Sequence, residues 1–300
     1  MEPIGRLATA MLTPFTADGA VDYPRARQLA EALVASGTEA LVVCGTTGEA
    51  PTLTRDEKLR LLGEVKDELR GRVPIIAGTC GYSTAESIEL SREALHVGVD
   101  AILGTVPYYN KPPQEGLERH FKAIAEAVPL PMILYNVPSR TATNLLPSTV
   151  VRLSEVSNIV GIKEASGNLE AISTIIRESR DGFRLWSGND ADTLPILALG
   201  GYGVISVASH LIGRQIARMI EAALAGDPAV AVRIHHQITP LVSALFVTTS
   251  PIPLKYAMRR VGFDCGSLRL PLVDVDERSA AVMDAALAGA QIDIRSAVAA

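Results

Sequence analysis

The sequence predicts an α/β protein, a (β/α)8 TIM barrel with a C-terminal helical appendage. Three observations lead there. From Leu7 onward, short apolar runs alternate with helix-length amphipathic stretches, the pattern of repeated βα units. Eight such runs recur at intervals of about 20 to 35 residues, a number and spacing that close most economically into a barrel. After Leu211 the strand signal stops and helical patterns follow. An open doubly wound sheet competes, but the phosphate-binding G-x-G-x-x-G after its first strand is missing and Pro14 stands there instead.

In chain order, the expected strands are Leu7–Leu12, Ala40–Cys44, Val73–Gly78, Ala101–Thr105, Met132–Tyr135, Val160–Lys163, Arg184–Ser187 and Val204–Val207. Each is a short apolar run of the kind that parallel sheets bury on both faces. Between them fall helical patterns over Tyr23–Ser36, Arg55–Leu69, Ala85–Val97, Gln114–Ala127 and Leu169–Arg177, with Asp22, Thr54 and Thr84 placed to cap the first three. The Gly226-Asp227-Pro228 break divides a catalytic barrel, residues 1–225, from a helical unit, residues 226–300. Its helices are Pro228–Val247, Pro251–Val261 and Asp276–Ala288, which bury apolar stripes on one another and on the barrel flank. Nothing is placed on the tail Ala290–Ala300.

Composition narrows the function. Three hundred residues with 48% hydrophobic content can bury a large core. A net charge of −5, with no basic cluster interleaved with aromatics, argues against nucleic acid or an anionic membrane as partner and for a small molecule. No basic and apolar leader follows Met1-Glu2-Pro3, and no apolar run approaches the ~20 residues of a membrane span, so a soluble, cytoplasmic protein is expected. Cys44, Cys80 and Cys265 are too dispersed for a disulfide framework and read as small buried residues. The five histidines show no H-x-x-x-H spacing, and no metal or cofactor motif is found.

In such a barrel the chemistry lies just past the C-terminal ends of the strands. Lys163 is the residue that stands out there. Of six lysines, Lys58, Lys66, Lys111, Lys122 and Lys255 read as polar helix or loop positions, whereas Lys163 ends the apolar run Ile159–Lys163. A strand-end lysine ordinarily snorkels to water. Its neighbours give a second reading. Burial lowers the pKa of an amine and leaves it nucleophilic, and other strand ends offer what imine chemistry on a 2-oxo acid requires. The turn Gly45-Thr46-Thr47-Gly48-Glu49 supplies hydroxyls and backbone N–H groups for a carboxylate; Tyr135 supplies a phenol for proton transfer, while Tyr108-Tyr109 at a loop tip read in isolation as interface or packing residues; Arg140 offers a bidentate fork for a second carboxylate. Glu164 follows the lysine and, by strand alternation, faces the outer layer in a structural role.

These residues also carry a resemblance. Cys44–Leu53, Pro107–Gly116, Tyr135–Thr141, Gly161–Ser166 and Pro251–Lys255, in this order, resemble the pyruvate-dependent class I aldolases of the N-acetylneuraminate lyase family, over about Gly5–Leu272. The branch most resembled joins pyruvate to L-aspartate 4-semialdehyde. The resemblance implies that Lys163 forms the imine with pyruvate and that Tyr135, Thr46 and Tyr109 relay protons, Tyr109 coming from the neighbouring subunit of a homotetramer, a dimer of dimers. It implies that Thr47 holds the pyruvate carboxylate, that Gly188 and Ile205 line the pocket through backbone groups, and that Arg140 receives the carboxylate of the semialdehyde. No cofactor is implied.

Arg140 favours that branch over a 2-keto-3-deoxy sugar acid aldolase or N-acetylneuraminate lyase, whose polyhydroxy substrate gives a cation there less to bind. A non-catalytic barrel that senses a 2-oxo acid is the third reading, disfavoured by the intact Lys163, Tyr135, Thr46 and Tyr109 set. Members inhibited by L-lysine often have histidine or small polar groups where this chain has Arg55 and Lys58, and asparagine where it has Tyr82, while Glu86 and Tyr108 are retained. Weak or absent feedback by lysine is therefore expected.

Overall fold

A closed parallel barrel runs through the computed structural model, which describes residues 4–294. Its strands are β1 (Leu7–Ala10), β2 (Ala40–Val43), β3 (Ile75–Gly78), β4 (Ala101–Thr105), β5 (Met132–Asn136), β6 (Ile159–Glu164), β7 (Arg184–Ser187) and β8 (Gly203–Ser206). Each pairs with its sequence neighbours, and β8 returns to β1 through Leu7–Val204, Ala8–Ile205 and Thr9–Ser206. Helices α1 (Tyr23–Ala35), α2 (Arg55–Leu69), α3 (Thr84–Val97) and α4 (Gln114–Ala127) follow the first four strands. After β5 come a single turn, α5 (Pro138–Thr141), and α6 (Pro147–Ser154); α7 (Leu169–Glu178), α8 (Thr193–Ala198) and α9 (Ser209–Leu224) complete the outer ring. The C-terminal helices are α10 (Pro228–Ala244), α11 (Ile252–Arg260) and α12 (Glu277–Ala288). Met1-Glu2-Pro3 and residues 295–300 of the tail lie outside the described residues.

Alternation gives the strands two apolar faces. Leu41, Val43, Ile75, Leu134, Ile162 and Leu185 pack outward beneath the helices. Ala8, Ala10, Val42, Ile76, Leu103, Ile133, Trp186 and Ile205 fill the interior. Helix starts follow local chemistry. Asp22 accepts from Arg25 N, and Thr54 and Glu57 form a reciprocal capping box. At α3 the cap is Ser83 rather than Thr84, because the helix begins one residue earlier and Ser83 accepts from Glu86 N. The C-terminal helices join the ring: α10 packs on α9, α8 and α12, α11 packs on α12, and Asp293 N donates to Leu211 O at 2.7 Å.

Candidate active site

A bulge decides which residues of β6 point inward. Met132 lies opposite Ile159, but Ile133 lies opposite Gly161, so β6 carries one extra residue. Ile159 packs in the outer core. Strict alternation from it would turn Lys163 outward too; the additional residue reverses the parity. Beyond it Tyr135 stands opposite Lys163, and Trp186 on β7 completes the rung. Gly161 makes room for that tryptophan, since a Cβ there would meet the ring at 2.6 Å and Arg184 O at 2.3 Å.

Lys163 is buried, 5% exposed, with Nζ 4.3 Å from the centroid of the Tyr135 ring. Burial holds its amine down at about 8, the nearby Asp190 carboxylate opposing this and the Arg140 cation adding to it. At neutral pH that increases the neutral fraction roughly 300-fold over an ordinary lysine. Burial also raises the phenol of Tyr135, against the pull of Arg140 and of the Thr46 side chain.

Thr46 and Thr47 sit in the tight turn after β2, closed by Gly48 N donating to Gly45 O and Glu49 N to Thr46 O, both at 3.1 Å. Gly48 is required there, because a Cβ would meet Met11 O at 2.9 Å. Arg140 rides on the exposed turn α5 and donates to Ser250 O at 3.1 Å. Gly188 follows β7; its N–H donates to Glu164 O at 2.7 Å, so its carbonyl is the backbone group left for a ligand. Ile205 lies in the interior cluster, opposite Ala8. The structure thus brings Lys163, Tyr135, Thr46 and Arg140 together. Tyr109 does not join them: it is 90% exposed, on a loop where its φ is 69°.

Two features lie outside the set drawn from sequence. Asp190 is buried beyond Gly188 and accepts from Ser206 Oγ, from Val207 N at 3.0 Å and from Ala208 N at 3.2 Å. Its sequence context, Gly188-Asn189-Asp190, reads as a surface turn; its position just past a strand end was the available signal. Lys255 corrects its sequence reading. It is buried on α11, and Nζ lies 2.8 Å from Glu49 Oε1, an ionic contact, while it donates to Ser267 O at 2.8 Å. The first turns of α11 bury Ile252, Pro253, Leu254 and Ala257 as well, so no polar face exists there for it. Its charge is tied to Glu49, which also accepts from Arg269 N at 3.0 Å.

Beside the Thr46 turn lies a cavity of about 480 Å³ lined by Thr46, Lys58, Tyr82, Glu86 and Tyr108. Arg55 is not part of that lining; it pairs instead with Glu93 and Glu89. Burial pushes the Cys44, Cys80 and Cys265 thiols up to about 12, which keeps them unreactive.

A closed parallel barrel with a buried, readily deprotonated lysine at the carboxyl end of a strand defines the class of Schiff-base, aldolase-type lyases. Within that class, the chain belongs to the dihydrodipicolinate synthetase family, whose sequence model matches residues 3–290. It is 54% identical over 294 residues to the 4-hydroxy-tetrahydrodipicolinate synthase of Dehalococcoides mccartyi, covering 98% of this chain and 99% of that one. The dihydrodipicolinate synthase DapA-2 of Bacillus anthracis superposes with a TM-score of 0.95 at 45% identity, over 97% of this chain and 100% of that one. The lysine-bound DHDPS of Cyanidioschyzon merolae does so with 0.94 at 47% identity, over 95% and 98%.

Proposed function

We propose that this protein condenses pyruvate with L-aspartate 4-semialdehyde to 4-hydroxy-tetrahydrodipicolinate, in the diaminopimelate route of lysine biosynthesis in the cytoplasm. The observation that carries the reading is Lys163, a buried amine held at about 8 against Tyr135 and Arg140. Its neutral amine attacks the pyruvate carbonyl, and loss of water gives the imine. Tyr135, Thr46 and Tyr109 carry protons to the departing hydroxyl and from the pyruvate methyl, while Thr47 holds the carboxylate and the carbonyl of Gly188 and the backbone of Ile205 bound the pocket. The resulting enamine adds to the aldehyde, whose carboxylate rests on Arg140; the substrate's own amine then displaces Lys163 and closes the ring. The 90% exposure of Tyr109 supports its donation to a neighbouring copy in a homotetramer. A coupled assay with both substrates, followed by mass spectrometry of borohydride-reduced protein, tests this reading. Turnover with a pyruvate adduct at Lys163 is expected; a protein that consumed sugar-acid aldehydes and ignored the semialdehyde would overturn the choice of acceptor.

Arg140 separates the acceptors. Arg140→Ala is expected to lower kcat/KM for the semialdehyde about 10- to 100-fold, the worth of a hydrogen bond to a charged group, while pyruvate trapping at Lys163 persists. Equal losses with acceptors lacking the carboxylate would contradict the assignment.

Feedback by L-lysine is proposed to be weak or absent. The Lys58 ammonium in the cavity repels that of the ligand and Tyr82 narrows the space; Arg55, engaged with Glu93, contributes little. Initial rates should stay flat across sub-millimolar L-lysine, and inhibition in that range would sink the idea.

A further inference from the structure

Outward from the Tyr135–Lys163 rung, the next rung holds a second pair. Asn136 and Glu164 stand opposite each other on β5 and β6, facing the outer layer, and both are buried. Asn136 Nδ2 donates to Glu164 Oε2 at 3.0 Å and to Oε1 at 3.2 Å, and Ser166 N donates to Oε1 at 2.7 Å. The same asparagine reaches the segment leaving α5. Its Nδ2 donates to Asn144 Oδ1 at 2.8 Å, and Leu145 N donates to its Oδ1 at 3.0 Å.

We propose that Asn136 and Glu164 are a positioning pair: their side-chain bonds behind the barrel wall hold the bulged register that turns Lys163 inward against Tyr135, and fix the turn that carries Arg140. The inference rests on the imine reading above. Its physical basis is that a strand with one extra residue has an alternative pairing one step away, in which every side chain changes face. In that register Glu164 would enter the barrel and Lys163 would leave it. The backbone bonds on this side of the bulge, Ala165 N to Asn136 O and Gly188 N to Glu164 O, are made by groups any residue provides. The Asn136–Glu164 pair is specific to these two side chains, so it can discriminate between registers where the backbone cannot. Glu164 also acts electrostatically, since its carboxylate raises the Tyr135 phenol.

The test uses the full-length protein as Asn136→Ala, Glu164→Ala, the double variant and the milder Glu164→Gln. The fraction of folded protein that borohydride traps with pyruvate, with folding checked by circular dichroism, reports the register of Lys163, and steady-state kinetics are normalised to the trapped sites. Each alanine variant should lose about 30- to 100-fold in kcat per trappable site, as expected for misplacing a reacting group by about an ångström, with the pyruvate KM changed less than about threefold. The double variant should lose less than the product of the two single losses, because the Asn136–Glu164 contact is common to both while the bonds to Asn144, Leu145 and Ser166 belong to one partner each. Glu164→Gln keeps an oxygen at the Oε1 position for Ser166 N and Asn136 Nδ2 but sets an amide NH2 against Asn136 Nδ2 at the Oε2 position, so a loss of about 3- to 10-fold is expected, together with a shift of the alkaline limb of the pH profile to lower pH. Single variants with a wild-type trappable fraction of folded protein, normal kcat per trapped site and an unmoved profile overturn the positioning pair, as does a double variant whose losses multiply. A wild type that forms no adduct would bring down the imine reading itself, a result distinct from unaffected variants of a trapping protein.

Discussion

Lys163→Met is expected to abolish pyruvate trapping and to cut kcat by about 10⁵-fold or more, the scale of removing a covalent nucleophile. The same variant should be more stable than the wild type. An amine held at about 8 in the fold and at 10.5 when unfolded costs the native state about 3 kcal/mol at neutral pH, and an uncharged thioether removes that cost. The sign follows from proton binding. Between about 8 and 10.5 the unfolded chain binds more protons than the fold, so the wild type gains stability as pH rises and the advantage of methionine fades. Below about 8 the advantage is complete. Urea melts at pH 7 and pH 10 provide the check: a gain of about 1–3 kcal/mol at the lower pH, shrinking at the higher, is expected. A variant destabilised at pH 7 would show that Lys163 is a structural residue, and a variant that still trapped pyruvate would refute the mechanism.

Lys255→Met should have the opposite profile. Glu49 would remain buried with its partner ammonium gone, and removing one side of a buried pair costs about 3–5 kcal/mol. Replacing Glu49 by glutamine in the same protein should recover a large part of that loss, because the uncompensated charge disappears. Pyruvate binding should suffer as well, since Glu49 closes the turn that carries Thr46 and Thr47. Denaturant midpoints of the two single variants and the double variant measure the coupling. A Lys255→Met protein as stable as the wild type would show that water already reaches Glu49.

These two lysines show what the sequence can and cannot convey. The barrel is legible because apolar runs such as Ala40–Val43 and Met132–Leu134 are short, regularly spaced and bounded by helical patterns, all local properties. Lys163 stands out for the same reason, as one charge in an apolar run. Lys255 does not, because its partner is more than two hundred residues away and its helix looks amphipathic until Glu49, Ser267 and Phe15 close over it. Asp190 is hidden in the same way: a Gly-Asn-Asp loop normally faces water, and the Ser206 hydroxyl with the backbone of Val207 and Ala208 makes it an interior group. Among the helices, α6 and α8 are too short for a periodic signal, and α9 departs from helical geometry at Ile212, where φ is −134°. The bulge before Lys163 escapes any period-2 reading, although the inward direction of the lysine depends on it.

The exposed Tyr109 has a consequence of a different kind. With Tyr109 90% exposed on a loop where its φ is 69°, a single copy holds Lys163, Tyr135 and Thr46 together and leaves Tyr109 apart from them. Where a neighbouring copy supplies that phenol, as the proposed homotetramer requires, catalytic competence belongs to the encounter of two chains and is expected to follow mass action: specific activity should vary with protein concentration, and pyruvate, wherever it binds only the completed site, should draw the copies together.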